Sequence, residues 1–179
     1  MNQNLGQILQ DYEVIKFGDF TLVNGKKSRY YVDIKKAMTN PKILELIAEQ
    51  IVDTASDNDI EADYIACVEL GGVPIGAIVS VVTELPLIII RKTEKDHGLE
   101  SRIIGDFEAK KVVLLIEDVT TTGGSVINAA QVLRNEGLVV KDIITVVDRG
   151  EGAEEALEKE GLNLISIVKA NSLLKDYEI

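Results

Sequence analysis

Over its last two-thirds the chain alternates short, unbroken apolar runs, rich in β-branched residues, with stretches that can wind into helices. The runs lie at 64–68, 87–90, 112–116, 143–147 and 164–168, and residues 72–83, 123–136 and 151–160 supply the helical stretches. A run that is apolar on both faces needs cover on both faces, which is the situation of a parallel strand sandwiched between helices. The alternation therefore predicts an α/β protein with a central, mostly parallel five-stranded sheet flanked by helices. At 179 residues, 46 % of them hydrophobic, the chain has enough material for one full core. Open sheets of this kind bind ligands at the carboxyl ends of their strands, so the residues just beyond each run are the candidates for function.

The first forty residues read differently. Leu5, Ile8, Leu9 and Tyr12 fall at helical spacing and, with Val14 and Ile15 following, predict a short N-terminal helix. Two β-forming stretches, 20–23 and 29–34, flank the turn dipeptide Asn24-Gly25 and predict a hairpin. Asn40-Pro41 then opens a helix whose apolar positions Ile43, Leu44, Ile47, Ala48, Ile51 and Val52 share one face, with an end expected near Ala55. The expected organisation is one domain over 1–179, with a helix-and-hairpin hood at 1–40 and a core at 41–179. Residues 170–179 carry a weak helical pattern.

Nineteen basic against thirty acidic side chains give a formal charge of −11, which repels nucleic acid and anionic lipid except where cations cluster locally. The single cysteine, Cys67, sits in an apolar run and reads as a core residue; with no second thiol in the chain, an internal disulfide and a cysteine-based metal site are excluded. The first ten residues lack the basic start and apolar centre of a signal peptide, and no apolar run approaches the roughly eighteen residues of a membrane span. A cytoplasmic protein is expected.

The most informative segment follows the third run. Ile116 leads into Glu117, Asp118, Val119, Thr120, Thr121, Thr122, Gly123, Gly124 and Ser125, a strand end with two acids that turns through hydroxyls and glycines into a helix. Free amide groups at a helix start, aided by hydroxyl donors and by glycines that let a ligand approach the backbone, form a cradle for phosphate. The chain has neither the G-x-x-x-x-G-K-[ST] loop nor a G-x-G-x-x-G turn, so the common nucleotide-binding loops are excluded. Two carboxylates ahead of a phosphate cradle need a partner that accepts anions, such as sugar hydroxyls, a divalent cation or developing positive charge. A strand cap followed by a polar turn is the plain alternative, and the specificity of the pattern argues against it.

A second segment, Arg91-Lys92-Thr93-Glu94-Lys95-Asp96-His97-Gly98, follows the second run and shows neither helical nor strand periodicity. With Arg102 it gathers four cationic side chains and the chain's one histidine in a strongly acidic protein, the local charge a polyphosphate needs. A third feature is Asp148-Arg149 at the end of the fourth run, where a planar guanidinium fork can pair with a carboxylate.

The acid pair and turn at 113–125 resemble the phosphoribosyl pyrophosphate (PRPP) signature of type I phosphoribosyltransferases. The Arg-Lys-x-x-Lys-Asp-His-Gly loop narrows the resemblance to the orotate phosphoribosyltransferases. The run Phe17-Gly18-Asp19-Phe20-Thr21-Leu22, then Gly25, Lys27, Ser28, Tyr30 and Tyr31, is similar to the segment by which that family encloses the orotate ring. Two cations found in many bacterial members are missing: Val23 stands where a lysine follows Phe-Thr-Leu, and Glu69-Leu70 replaces Tyr-Lys ahead of Gly71-Gly72-Val73-Pro74. This form looks like the family's archaeal branch.

The resemblance implies a magnesium-dependent pentosyltransferase of pyrimidine biosynthesis that joins orotate to PRPP and releases orotidine 5′-monophosphate and diphosphate. It assigns catalysis to Lys95, His97 and Asp118. PRPP falls to Arg91, Lys92, Lys95, His97, the stretch from Glu117 to Ser125, Gly71 and Gly72. Orotate falls to Thr121, Arg149, Val23, Tyr30 and Tyr31; either tyrosine can be the one that faces the ring. Mg²⁺ is expected to be held mainly by substrate. A homodimer that shares its cationic loop across the interface is implied, with no nucleic acid or membrane partner. A purine or xanthine phosphoribosyltransferase and a non-catalytic PRPP-sensing regulator are the alternatives.

Overall fold

A computed structural model describes residues 5–21, 25, 27–92 and 102–173, without the side chains of Phe17 and Leu173. Helix α1 (Leu5–Asp11) leads into a hairpin of β1 (Ile15–Thr21) and β2 (Lys27–Val32), followed by α2 (Ile34–Met38) and α3 (Pro41–Asp57). Then come β3 (Tyr64–Val68), α4 (Gly72–Thr83), β4 (Leu87–Ile90), β5 (Ile103–Ile104) and β6 (Val112–Thr120). The chain continues through α5 (Gly124–Asn135), β7 (Val139–Asp148), α6 (Ala153–Lys159), β8 (Asn163–Lys169) and α7 (Ala170–Leu173).

The main sheet has the order β5-β4-β3-β6-β7-β8, parallel from β4 to β8. It has six strands rather than the expected five. The addition, β5, pairs antiparallel to β4 through Ile89 with Ile104 and Ile90 with Ile103. Two residues are too few to show a period in sequence; the pairing exists because the chain returns to β4 after the cationic segment.

Side chains alternate across β6 with the strand period of two. Leu114 and Ile116 join a cluster with Ile47 and Ile51 of α3 and Ile75 and Val79 of α4. Val113 and Leu115 join Val126, Ala129 and Leu133 of α5 and Leu157 of α6 on the other face. Each fully buried Leu or Ile contributes roughly 1.5–3 kcal/mol, which explains why the continuous apolar runs became the covered strands.

Helix α3 begins as its sequence dictates: the Asn40 side chain accepts a hydrogen bond from the Lys42 N–H, and Pro41 occupies the first turn. The helix runs two residues past Ala55. The hairpin differs more. Its first strand begins at Ile15 rather than at Phe20, and a register shift between Phe17 and Phe20 takes up Gly18, whose φ is 156°. Gly18-Asp19 is thus a bulge inside a strand. The second strand ends at Val32; Ile34, expected to be its last residue, instead starts the five-residue helix α2.

Candidate active site

Strand β6 extends four residues beyond the apolar run, to Thr120, so Glu117 and Asp118 belong to the sheet itself. Pairing of Glu117 with Thr145 and of Thr120 with Asp148 holds them in register with β7. Gly123 then turns the chain at φ 81° into α5, and a Cβ there would lie 2.4 Å from Leu157 Cδ1, so both the turn and the packing of α6 require glycine. Gly124 faces open space, with nothing within 4 Å of a built Cβ. The result is a cavity of about 440 Å³ lined by every residue from Glu117 to Val126, together with Lys92 and Arg149. The N-terminus of α5 opens into this space, in the arrangement that binds phosphate.

The two acids differ. Asp118 accepts a hydrogen bond from the Val119 N–H at 2.9 Å and packs directly on Gly71, where a Cβ would come within 1.9 Å of its Oδ2. Gly71 has ordinary helical backbone angles, so it is glycine for the sake of the Asp118 carboxylate and not for the turn. Glu117 is buried, and burial followed by the neighbouring Asp118 carboxyl raises its pKa well above the usual carboxylate range, with Lys92 opposing. Behind it, Cys67 is fully buried, and burial together with Glu117 pushes its thiol up to about 12. That thiol is packing, as expected of a core cysteine. Among the described residues no cluster of three His, Cys, Asp or Glu side chains could hold a metal ion. Two carboxylates beside a phosphate cradle do fit Mg²⁺, which binds through one or two carboxylates plus substrate phosphates.

On another side of the cavity the hairpin meets the end of β7. Arg149 Nη2 donates to Ser28 Oγ at 2.9 Å, and the guanidinium lies 4.5 Å from the centre of the Tyr30 ring. Tyr30 is therefore the tyrosine that packs inward, while Tyr31 lines the cavity. At the edge, the Lys92 N–H donates to Glu69 Oε1 at 2.7 Å, and Arg102 donates to the carbonyl oxygens of Arg91 and Lys92.

The cavity thus gathers Lys92, the residues from Glu117 to Ser125, Tyr31 and Arg149. Gly71, Gly72, Arg91 and Tyr30 stand outside its lining, with Gly71 and Tyr30 supporting residues that do line it. Val23, Lys95 and His97 lie outside the described residues. Thr21, quoted above only as part of the ring-enclosing run, lines the cavity, and so do Val32, Asp33, Ile34 and Lys35, which sequence reasoning passed over. The available signal was the charge of Asp33 inside an expected strand, which argues for ending that strand early; helix α2, which follows, is too brief to show periodicity.

Comparison with known proteins accords with this geometry. Residues 33–178 match the family described as the phosphoribosyl transferase domain. An orotate phosphoribosyltransferase of Methanosarcina mazei is 49 % identical over 173 residues, covering 97 % of this chain and 91 % of that one. One from Pyrococcus furiosus is 47 % identical, with coverage of 98 % and 96 %. The crystal structure of orotate phosphoribosyltransferase from Aeropyrum pernix superposes with a TM-score of 0.85 at 26 % identity, covering 96 % of this chain and 98 % of that one. The chain belongs to the phosphoribosyltransferase family, within its orotate phosphoribosyltransferases and alongside archaeal members.

Proposed function

We propose that the protein transfers the phosphoribosyl group of PRPP to orotate, giving orotidine 5′-monophosphate and diphosphate in the synthesis of UMP. The observation that carries this reading is that one cavity is lined both by a helix start of the kind that suits a phosphate and by Arg149. The amides and hydroxyls of Thr121 to Ser125 take the 5′-phosphate, and Glu117 and Asp118 face the ribose hydroxyls. Arg149 pairs with the carboxylate that distinguishes orotate from uracil, and Tyr31 and Thr121 border the ring.

In the reaction the anomeric C–O bond breaks, diphosphate leaves with the electron pair, and the ring nitrogen forms the new C–N bond with inversion, its N–H proton passing to the departing diphosphate. The acids favour the positive ring, while Lys92, Arg91, Lys95 and His97 stabilise the leaving diphosphate. Asp118 or Glu117 would hold Mg²⁺ together with substrate oxygens, and the ion would supply further charge neutralisation there. The hood at 1–40 shields the cationic ring from water over the core at 41–179.

The same reading includes a cytoplasmic homodimer. Helix α4 is apolar nearly all round, and Val81 and Val82 at its end are 75 % and 52 % exposed, a face suited to a second copy. Light scattering should give twice 19.6 kDa, and a monomer would remove this part of the proposal.

The deciding experiment incubates the protein with PRPP and Mg²⁺ and, in turn, orotate, uracil, xanthine, hypoxanthine or adenine. Consumption of orotate alone is expected. Consumption of a purine would make it a salvage enzyme, and no reaction at all would make it a PRPP-sensing regulator.

A further inference from the structure

Resting on that reading, we propose that Glu151 is the positioning residue of the base pocket, orienting the Arg149 guanidinium so that its free edge faces the cavity to receive a planar ring carboxylate. The Arg149 side chain is 3 % exposed, and a guanidinium so withdrawn from water needs both a counter-charge and fixed geometry. Its surroundings supply these one by one. Its backbone N–H donates to the Thr120 carbonyl at 3.0 Å, Nη2 donates to Ser28 Oγ, and Tyr30 covers one face. Nε lies 3.0 Å from Glu151 Oε1. Among the described residues Nη1 has no hydrogen-bond partner, and Arg149 lines the cavity.

Glu151 is committed to this one arginine. Its side chain is 20 % exposed, it does not line the cavity, and its second oxygen, Oε2, is buried without a hydrogen bond. The Nε contact is likewise an ion pair without the alignment of a hydrogen bond. A local turn brings the carboxylate back: the Gly150 N–H donates to Asp148 Oδ1 at 3.0 Å, and Gly150 takes φ 69°. A carboxylate oxygen buried without a hydrogen bond is costly, and what the group provides here is orientation. An arginine already held on Nε, Nη2 and one face has little rotamer freedom left to lose when substrate arrives.

The test compares wild type, Glu151→Ala and Glu151→Gln with both substrates varied and thermal unfolding measured. In Glu151→Ala the orotate KM should rise about tenfold while kcat and the PRPP KM stay within about twofold. Glu151→Gln, which keeps an acceptor oxygen at the same reach, should recover most of that loss. An unchanged orotate KM in Glu151→Ala, both Michaelis constants rising together, or failure of the glutamine to rescue would each overturn the proposal. Should Glu151→Ala fail to fold, Glu151→Asp replaces it with the same split expected, and an unchanged orotate KM there overturns the role. Wild type that does not convert orotate defeats the functional reading and this one with it. Conversion by wild type with no change in the variant defeats only the role of Glu151.

Discussion

Two parts of the cavity lining are built by opposite means. The side beside α5 is made by nine consecutive residues, Glu117 to Ser125, on a strand end, a glycine turn and a helix start, and on the proposed reading it works chiefly through backbone amides. The side beside the hairpin is made by side chains, with Ser28 and Arg149 joined across 121 positions. A backbone-made cradle depends on room and register, so it should be intolerant of added atoms and indifferent to which base is used. A pocket made by side chains should be separable from it, one pair at a time.

Removing the pair that defines the base side should have the largest effect. Arg149→Ala should raise the orotate KM by about a hundredfold, as expected for one partner of a buried charge pair, with the PRPP KM within about twofold. A parallel rise in both constants would break the division between the two sides. The reciprocal change is Gly71→Ala, whose methyl must displace the Asp118 carboxylate. Initial-rate kinetics should show the PRPP KM rising about tenfold and the orotate KM unchanged, since a misplaced polar partner costs about 1–3 kcal/mol. An unchanged PRPP constant would separate Asp118 from the sugar.

Gly123→Ala sharpens the contrast through stability. Its left-handed backbone and the approach to Leu157 should cost about 1–3 kcal/mol in denaturant unfolding, and wild-type stability would show that the turn is not constrained as described. The smallest effect is expected of Glu117→Gln, read as a pH dependence. Because the folded state raises the Glu117 pKa, wild type loses stability as pH rises from the unfolded-state value, near 4.5, through the folded value. The glutamine variant should therefore gain on wild type as pH increases, with the difference vanishing in acid. A difference that does not change with pH would mean that Glu117 ionises normally.

The covered strands and the glycine turn into α5 were legible because their signals are local. Five apolar runs became β3, β4, β6, β7 and β8, since a segment apolar on both faces has no other stable place than between helices. The Glu117-to-Ser125 turn could be read because one uninterrupted segment carries all of it. The hairpin boundaries were misplaced because Gly18-Asp19 reads as a break yet sits in a bulge, whose conformation is set by its pairing with β2. Strand β5 and helix α2 were invisible because two and five residues have no period to detect.

The sequence by itself determined the layered α/β core and the strand-turn-helix segment at 117–125, because burial pattern and backbone freedom are properties of neighbouring residues. Only the tertiary structure decided that Tyr30 supports Arg149 while Tyr31 faces the cavity, that Gly71 makes way for Asp118, and that Glu151 guards the guanidinium. Each of these is a contact between segments that approach only after the sheet has formed, and no spacing along the chain encodes it.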